Sequence, residues 1–212
     1  MKRRHFSATL VGMGLASTAV ATLAQGSKPI SDADYSQISP PVPTTAGKIE
    51  VLEFFWYGCP HCFAFEPLLD AWWKKLPADV LFRRVPVAFN ANFAIHQRIF
   101  YALEALGQVE TTHRKVFNAI HVDHQHLDKE DEVIAFMAKN GIDKAKFAAV
   151  FNSFSVNTKS KQATHLAESY KIEGVPTLGI QGRYLTSGGQ AGSPERSLLV
   201  ADALIQRARK GG

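Results

Sequence analysis

Cys59 and Cys62 are the only two cysteines of this 212-residue chain, and Pro60 and His61 separate them. The apolar residues before Cys59 are typical of a buried strand, and the residues after Cys62 are typical of a helix. A C-x-x-C pair at a strand-to-helix junction is suited to thiol–disulfide exchange. Free N–H groups and the dipole at the start of the helix favour a thiolate at Cys59, and the thiolate is the form that attacks a disulfide. The sequence therefore predicts a redox-active pair.

The two spacer residues are predicted to support this chemistry. Pro60 has no N–H and suits the first turn of a helix. His61 provides a positive charge or an N–H donor near the Cys59 sulfur, which favours the thiolate over the thiol. A reduced form that is stabilised in this way makes the disulfide a stronger oxidant. We expect Cys59 to be the exposed sulfur at which exchange takes place, and Cys62, one turn further along, to be the buried resolving cysteine.

Two other uses of the cysteines fit the sequence less well. A structural zinc site needs four ligands, usually two cysteine pairs or a cysteine pair with a histidine pair. The chain has no second cysteine pair, and His121, His124 and His126 lie in a polar stretch far along the chain. We predict that these histidines form a solvated loop, with adventitious metal binding as the alternative, and we predict no metal or cofactor. A disulfide across two residues closes too short a loop to stabilise a fold much.

Residues 1–24 have the pattern of a secretory signal peptide. Residues 2–4 are basic, an apolar stretch runs from residue 10 to residue 20, and small residues precede Gln25, the predicted mature N-terminus. The apolar stretch is short for a membrane span. A retained N-terminal anchor stays open, as does the choice between the general secretory and twin-arginine routes. Export to an oxidising compartment lets a disulfide persist.

The charge of the chain gives no indication of a nucleic-acid partner. The formal net charge is +5. The predicted signal peptide contains three basic residues and no acid, which leaves 21 basic against 19 acidic residues in the rest of the chain. No cluster of lysine and arginine is interleaved with aromatic residues, as binding to nucleic acid requires. We predict no nucleic-acid partner.

The pattern between residues 25 and 90 predicts an arm followed by a β-α-β unit. Residues 25–46 are polar and rich in proline and are predicted to be an N-terminal arm. Residues 48–55 and 80–87 are predicted strands on either side of the helix that follows the cysteines. A right-handed crossover makes two such strands parallel.

The rest of the chain predicts a run of helices and then a return to strands. Residues 91–170 repeat apolar positions with a helical period and predict four or five helices. Strands are predicted at 177–180 and 183–185, joined by a hairpin turn at Gln181-Gly182. A last helix is predicted to start at Ser193.

This order of elements predicts an α/β protein, a thioredoxin fold with an inserted helical domain. The thioredoxin-like domain comprises residues 47–90 and 171–212, and the insertion comprises residues 91–170. Val175-Pro176 falls after the insertion and before the hairpin, where thioredoxin-fold proteins keep a cis-proline that faces the C-x-x-C. Only about 5% of X-Pro bonds are cis, but in this position we expect a cis bond. We expect the exposed backbone of Val175 to pair with an extended peptide substrate.

Glu53 is an acid on a largely apolar strand, six residues before Cys59. Its side chain is therefore expected to point inward beneath the active site. Buried acids are costly unless they are paired, and those near reactive centres often have shifted pKa values.

Taken together, these motifs resemble the DsbA family, the periplasmic thiol:disulfide oxidoreductases of Gram-negative bacteria. The resemblance covers the chain from about residue 45 onward. It rests on Glu53-Phe54-Phe55, Cys59-Pro60-His61-Cys62, Phe65-Glu66, Lys75-Leu76-Pro77, Gly174-Val175-Pro176 and Gly182-Arg183-Tyr184, in this order.

The resemblance implies that the protein is periplasmic and that it donates a Cys59–Cys62 disulfide to unfolded or reduced exported proteins. It also implies reoxidation by a membrane quinone-linked partner of the DsbB type, and we expect a monomer. For Glu53 it implies proton transfer or pKa tuning, with Arg84 in the place of a basic partner. Arginine does not release a proton near pH 7, so a simple ion pair at the strand end is the alternative.

Two other functions stay open. A disulfide isomerase or reductase of this superfamily usually has a separate N-terminal dimerisation domain, for which residues 25–46 are too short. Such enzymes also commonly have threonine, not Val175, before the proline. A non-enzymatic peptide-binding chaperone or metal carrier on the same fold needs only a groove and could dispense with Cys59.

Overall fold

The computed structural model describes residues 29–211. The predicted signal peptide and the first residues of the predicted arm lie outside this range. Within it, none of the helices combines the length and the apolar character that a bilayer crossing requires.

A mixed sheet forms the centre of the described chain. Its strands are β1 (Ser36–Gln37), β2 (Ile49–Phe55), β3 (Val80–Pro86), β4 (Thr177–Ile180) and β5 (Tyr184–Thr186). Their order in the sheet is β1-β5-β4-β2-β3. Only β2 and β3 are parallel to each other. Because β2 has neighbours on both sides and an apolar sequence, it is buried from its second residue to its last.

The β-α-β unit that the sequence predicts is confirmed. Helix α1 (Pro60–Trp73) connects β2 to β3, which run parallel with Ile49 opposite Val80 and Phe55 opposite Pro86. The end of β2 therefore leads through a short turn into the start of α1. This turn places the cysteine pair at the carboxyl edge of the central strand.

Five helices make up the insertion in the described structure, in agreement with the prediction of four or five. They are α2 (Ala94–Ala105), α3 (Val109–His121), α4 (Glu130–Lys139), α5 (Lys144–Phe151) and α6 (Phe154–Ser169). The apolar pattern of the sequence predicts the last two at residues 143–154 and 159–170, but α5 ends earlier, at Phe151, and α6 begins earlier, at Phe154. It begins earlier because the Ser153 hydroxyl accepts a hydrogen bond from the Val156 N–H at 3.2 Å and caps the helix.

The return to the sheet also follows the prediction. Gln181 and Gly182 both have positive φ, at 50° and 64°, as the hairpin turn of type I′ requires. A Cβ on Gly182 would lie 1.9 Å from the Val42 carbonyl oxygen, so this position needs glycine. Two helices follow β5. The short helix α7 (Gly188–Ala191) was not predicted, and the long helix α8 (Pro194–Arg209) begins after Ser193 as expected.

The described part of the N-terminal arm packs against the sheet, which the sequence did not indicate. β1 pairs with β5, and the Val42 N–H donates to the Gly182 carbonyl at 2.8 Å. Tyr35 and Ile38 are buried. Ser39–Pro40 is a cis peptide bond that the sequence did not indicate. The arm completes one edge of the sheet because its backbone has strand partners there, and the domain boundaries drawn from the sequence stay predictions.

Candidate active site

The Cys59 sulfur caps the helix that follows it. Cys59 has an extended backbone and is the N-cap of α1, and Pro60 occupies the first helical position, where its missing N–H costs nothing. The Cys62 backbone N–H donates to Cys59 Sγ at 3.4 Å. The sulfur thus takes the place that a serine or aspartate oxygen usually holds at an N-cap. A negative charge there is stabilised by the free N–H groups and by the helix dipole.

Both cysteines are free thiols, and both are buried. Cys59 is 7% exposed and Cys62 is 0% exposed. Cys59 is therefore the more accessible of the two, as predicted, but the expectation that it is an exposed residue was wrong. The covering group is the loop before β4, whose Val175 carbonyl oxygen lies 3.4 Å from Cys59 Sγ and accepts a hydrogen bond from it when Cys59 is a thiol. A polypeptide substrate must therefore approach along this loop to reach the sulfur.

The surroundings of Cys59 lower its pKa to about 6. The largest cause is a hydrogen bond with the Cys62 side chain, whereas burial acts in the opposite direction. The backbone N–H groups of Cys62 and His61 lower the pKa further, and the charge of the His61 side chain has the smallest effect. The predicted direction for His61 agrees with the structure, but its imidazole is exposed and contributes less than the helix N-terminus.

The two thiols of the pair have very different pKa values. Burial raises the pKa of Cys62, and the hydrogen bond with Cys59, the Cys59 charge and the Glu53 charge raise it further. Near neutral pH the outer sulfur is therefore a thiolate and the inner one a thiol. This is the distribution expected of an attacked and a resolving cysteine.

The Val175–Pro176 bond is cis, as predicted, and it faces the cysteine pair through the contact between Val175 and Cys59. The loop is held by the Thr177 hydroxyl, which donates to the Gly174 carbonyl at 2.8 Å. Within the described chain the Val175 N–H has no backbone partner.

A groove with a volume of about 730 Å³ runs beside this loop. One wall is formed by His61, Ala64 and the buried Phe65 of α1, and the other includes Val175 and Pro176. The groove therefore joins the unpaired backbone of the loop to the surface next to the cysteines. Its position is suited to an extended chain lying beside Cys59.

A group of charged side chains is buried beneath the cysteines. Glu53 is 0% exposed, which confirms that its side chain points inward. Glu53 and Arg84 are register partners on β2 and β3, with 3.1 Å between Arg84 Nε and Glu53 Oε2. Arg84 also lies 3.2 Å from Glu66 Oε2 through Nη2. The arginine therefore lies between two buried carboxyl groups.

The two carboxyl groups are not equivalent. Arg84 Nη2 donates to both oxygens of Glu66, at 3.3 and 3.2 Å. Neither oxygen of Glu53 receives an aligned hydrogen bond from the described residues, because the Arg84 Nε–H does not point along its 3.1 Å contact. Burial and the charge of Glu66 raise the pKa of Glu53 to about 8, although Arg84 opposes the shift. Burial also acts on Glu66, but hydrogen bonds and charges from His113 and Arg84 outweigh it and hold the pKa below its ordinary value.

Sequence reasoning missed three members of this buried group. Glu66 was noted only as part of a family motif, and no role was foreseen for His113 or Tyr57. The signals were present: Glu66 interrupts an apolar helix face, and His113 lies on the same face of α3 as Val116 and Phe117. The partners could not be inferred, because His113 and Glu66 are 47 residues apart.

His121 does not belong to a solvated loop, which corrects the prediction for the three histidines. It is the last residue of α3 and is half-buried. Its Nε2–H donates to the Tyr57 carbonyl at 2.8 Å, and its ring stacks on Phe63 with 4.9 Å between centroids. His124 and His126 are exposed in the loop after α3. Residues 29–211 contain no group of three or more histidine, cysteine, aspartate or glutamate side chains arranged to hold a metal ion.

The comparison with protein families agrees with this geometry. The family model described as DSBA-like thioredoxin domain matches residues 50–194. The chain belongs to this family. The thiol:disulfide interchange protein DsbA of Pseudomonas aeruginosa is 45% identical over 177 residues, which cover 83% of this chain and 84% of that protein. The protein of the same name from Bordetella parapertussis is 43% identical over 215 residues, with 99% and 100% coverage.

Solved structures of the family have the same fold. The crystal structure of Pseudomonas aeruginosa DsbA superposes with a TM-score of 0.82 at 44% identity, covering 84% of this chain and 93% of that one. The oxidoreductase DsbA of Xylella fastidiosa gives a TM-score of 0.78 at 33% identity, with 86% and 98% coverage. The predicted thioredoxin fold with a helical insertion is confirmed, and the chain is a thiol:disulfide oxidoreductase.

Proposed function

We propose that the enzyme works as a dithiol oxidase that donates a Cys59–Cys62 disulfide to reduced polypeptides. The observation that carries the proposal is the capping of α1 by Cys59 Sγ, with a pKa of about 6. This capping stabilises the reduced form near neutral pH, so the disulfide form releases more free energy when it is reduced. A pair with an unperturbed outer thiol would be a weaker oxidant.

The reaction proceeds in two exchanges. A substrate thiolate attacks Cys59 Sγ, the bond to Cys62 breaks, and its electron pair stays on Cys62 Sγ, which takes up a proton. A second thiolate of the same substrate attacks the substrate sulfur of the mixed disulfide and releases Cys59 as a thiolate. The substrate loses two electrons and the enzyme gains them. A low pKa makes Cys59 the better leaving group in the second exchange.

Glu53 is the proposed source of the proton that Cys62 takes up. It is buried close enough to Cys62 for its charge to raise the pKa of that thiol, and its own pKa of about 8 leaves it protonated at neutral pH. Arg84 keeps its proton and acts through its charge. In this proposal Pro60 shapes the first turn of α1, and His61 adds a small electrostatic stabilisation to the Cys59 thiolate.

The substrate binds as an extended chain in the groove beside Val175 and Pro176. The free N–H of Val175 pairs with the substrate backbone, and the carbonyl oxygen of Val175 lies 3.4 Å from Cys59 Sγ. Main-chain pairing of this kind recognises no particular side chain, which suits an enzyme that acts on many exported proteins.

The remaining parts of the proposal come from the sequence and from the family. Residues 1–24 direct the chain to the periplasm, where it acts on newly exported proteins as a monomer. A membrane quinone-linked oxidase of the DsbB type accepts the electrons and restores the disulfide. No metal, cofactor or nucleic acid takes part.

The redox potential, measured by equilibration with glutathione, tests the direction of the reaction. An oxidase has a potential well above that of the glutathione pool, so that reduced ribonuclease is oxidised efficiently by the disulfide form. If the protein reduces insulin faster than it oxidises reduced ribonuclease, it is a reductase. If it repairs scrambled ribonuclease faster than it oxidises reduced ribonuclease, it is an isomerase. If the activity of the protein toward unfolded polypeptides survives in C59S, which cannot form the disulfide, the protein is a chaperone that uses only the groove.

A further inference from the structure

The buried charges beneath the cysteines continue into the helical insertion through His113 on α3. This side chain is 4% exposed. Its Nε2 lies 3.2 Å from Glu66 Oε1, and its Nδ1 lies 2.7 Å from the Tyr57 hydroxyl. The rings of Phe55 and Phe117 pack edge-on against the imidazole, each with 5.2 Å between centroids. Both ring nitrogens thus have one fixed partner, and the packing holds the ring in this orientation.

The partners of His113 determine which nitrogen carries its proton. Burial lowers the pKa of His113, and the opposing effect of Glu66 does not restore it, so the imidazole is neutral near pH 7. A neutral imidazole has one N–H donor and one acceptor. An ionised carboxylate only accepts, whereas a tyrosine hydroxyl also donates. Nε2–H therefore donates to Glu66, and the Tyr57 O–H donates to Nδ1.

This hydrogen bond distinguishes the two carboxyl groups that share Arg84. Glu66 accepts from His113 and from Arg84, whereas Glu53 receives no aligned donor from the described residues. Hydrogen bonds to the charged form keep a carboxyl ionised, and burial without them keeps it protonated. Two like charges on either side of one guanidinium are also unfavourable. The excess proton therefore resides on the carboxyl that lacks donors.

We propose that His113 is a positioning residue that selects Glu66 as the ionised partner of Arg84 and thereby leaves Glu53, buried beneath the cysteines, as the carboxyl that carries the transferable proton. The inference deepens the proposed function, because it rests on the assignment of Glu53 as proton source. Without the Nε2–H of His113, Glu66 keeps only the hydrogen bonds of Arg84, which also contacts Glu53, and the difference between the two carboxyl groups becomes smaller. The proton then shifts from Glu53 toward Glu66.

The other ionisable groups nearby do not provide this discrimination. Arg84 on β3 lies within contact distance of both carboxyl groups. Cys62 on α1 interacts electrostatically with Glu53. Tyr57 in the active-site turn contacts His113 only at Nδ1. Glu110 on α3 acts through its charge on Arg84 and on His113. Arg84 and His113 both donate to Glu66, but only His113 does so without also lying within contact distance of Glu53.

The test is a carboxyl titration of the reduced protein by NMR, with ¹³C-labelled glutamate and with E53Q and E66Q to assign the two signals. In the unaltered protein, Glu53 should titrate well above Glu66. H113N places an amide N–H near the Nδ1 position, and H113Q places one near the Nε2 position. The two variants carry the same polar group and differ in which ring nitrogen it replaces. In H113N the Glu53 midpoint should fall by about one pH unit or more, and that of Glu66 should rise. H113Q should restore the original order.

Two results would overturn the inference: a Glu66 midpoint above that of Glu53 in the unaltered protein, or midpoints in folded H113N that equal those of H113Q. Should H113N fail to fold, ¹⁵N shifts of the His113 ring in the unaltered protein still decide, because a protonated Nδ1 with a bare Nε2 contradicts the inference. The titration uses no substrate. A protein that fails to oxidise ribonuclease but shows these midpoints would disprove the proposed function and leave the selection by His113 intact.

Discussion

Arg84 Nε lies 3.1 Å from Glu53 Oε2 across two parallel strands, yet the Nε–H is not directed at this oxygen. The Arg84 Nη2 group donates to Glu66 instead. The buried arginine thus forms one well-aligned pair and one unaligned contact. Buried ion pairs stabilise a fold only when the geometry is good and the remaining polar atoms are satisfied. Glu53 is therefore held at a cost to stability beneath the cysteines, as is common for groups that serve catalysis.

The first prediction is that E53Q abolishes a pH dependence of stability. A folded-state pKa of about 8 lies above the ordinary value of 4.5. Because the pKa is raised, the stability that this group contributes is complete below the ordinary pKa and is lost as pH rises toward 8. Urea unfolding of reduced E53Q between pH 5 and pH 8 should show less loss of stability with pH than the unaltered protein.

E66Q is the matched control for this substitution. It removes the negative charge of Glu66 and one of the two oxygens that accept from Arg84 and His113, so it should lower the free energy of unfolding near neutral pH by about 1–3 kcal/mol. E53Q should not cause a comparable loss at pH 8. Equal losses in the two variants would show that the carboxyl groups are equivalent, against the hydrogen-bond geometry.

The second prediction concerns the titration of Cys59. Ultraviolet absorbance of the thiolate should rise with a midpoint near pH 6 in the reduced protein. The causes are the hydrogen bond with the Cys62 side chain and the backbone N–H groups at the start of α1, which an unfolded chain does not provide. A midpoint of about 8.5, the value of a free cysteine, would contradict the oxidase proposal.

The third prediction ranks two neighbours of Cys59. C62A removes the side-chain hydrogen bond that lowers the pKa of Cys59 most, whereas H61S removes the smallest contribution and leaves the backbone N–H in place. Both variants should raise the Cys59 midpoint, C62A more than H61S, with little loss of fold in H61S. A larger shift in H61S would assign the stabilisation to the imidazole and not to the helix and the inner thiol.

The sequence was sufficient for those parts of the site that local patterns encode. The cysteine pair at a strand-to-helix junction, the cis bond at Pro176 and the positive-φ turn at Gln181-Gly182 each depend on a few adjacent residues and their place in the element order. The burial of Cys59 was not predictable in this way. It is caused by the Val175 carbonyl, which comes from a loop 116 residues further along the chain.

The contacts that the sequence did not reveal are those between elements that are far apart in the chain but adjacent in the fold. His121 and the Tyr57 carbonyl are 64 residues apart, and neither pattern alone shows that α3 lies against the active-site turn. The short β1 strand was missed because two residues carry no periodicity. Its partner β5 was recognisable, but the pairing depends on how the arm crosses the sheet edge.

The fourth prediction is that H121F loosens the active-site turn. Phenylalanine keeps the stack on Phe63 but removes the N–H that binds the Tyr57 carbonyl, so the free energy of unfolding should fall by about 1 kcal/mol. Amide exchange of the residues next to Cys59 should become faster while exchange in β2 stays unchanged. Unchanged exchange at the turn would mean that this hydrogen bond does not hold it.

The last prediction links the redox state to stability. The Cys59 thiolate exists only in the reduced protein, and its folded-state pKa of about 6 is lower than in the unfolded chain. Because the pKa is lowered, the stabilisation is complete above the ordinary pKa of about 8.5 and is lost as pH falls through about 6. The disulfide form lacks this stabilisation, and its short loop adds little. Urea unfolding should therefore give a higher midpoint for the reduced than for the oxidised protein near pH 7, with a difference that grows from pH 5 to pH 8. A higher midpoint for the oxidised form at pH 7, or a difference that does not change with pH, would show that the disulfide is structural or only weakly oxidising.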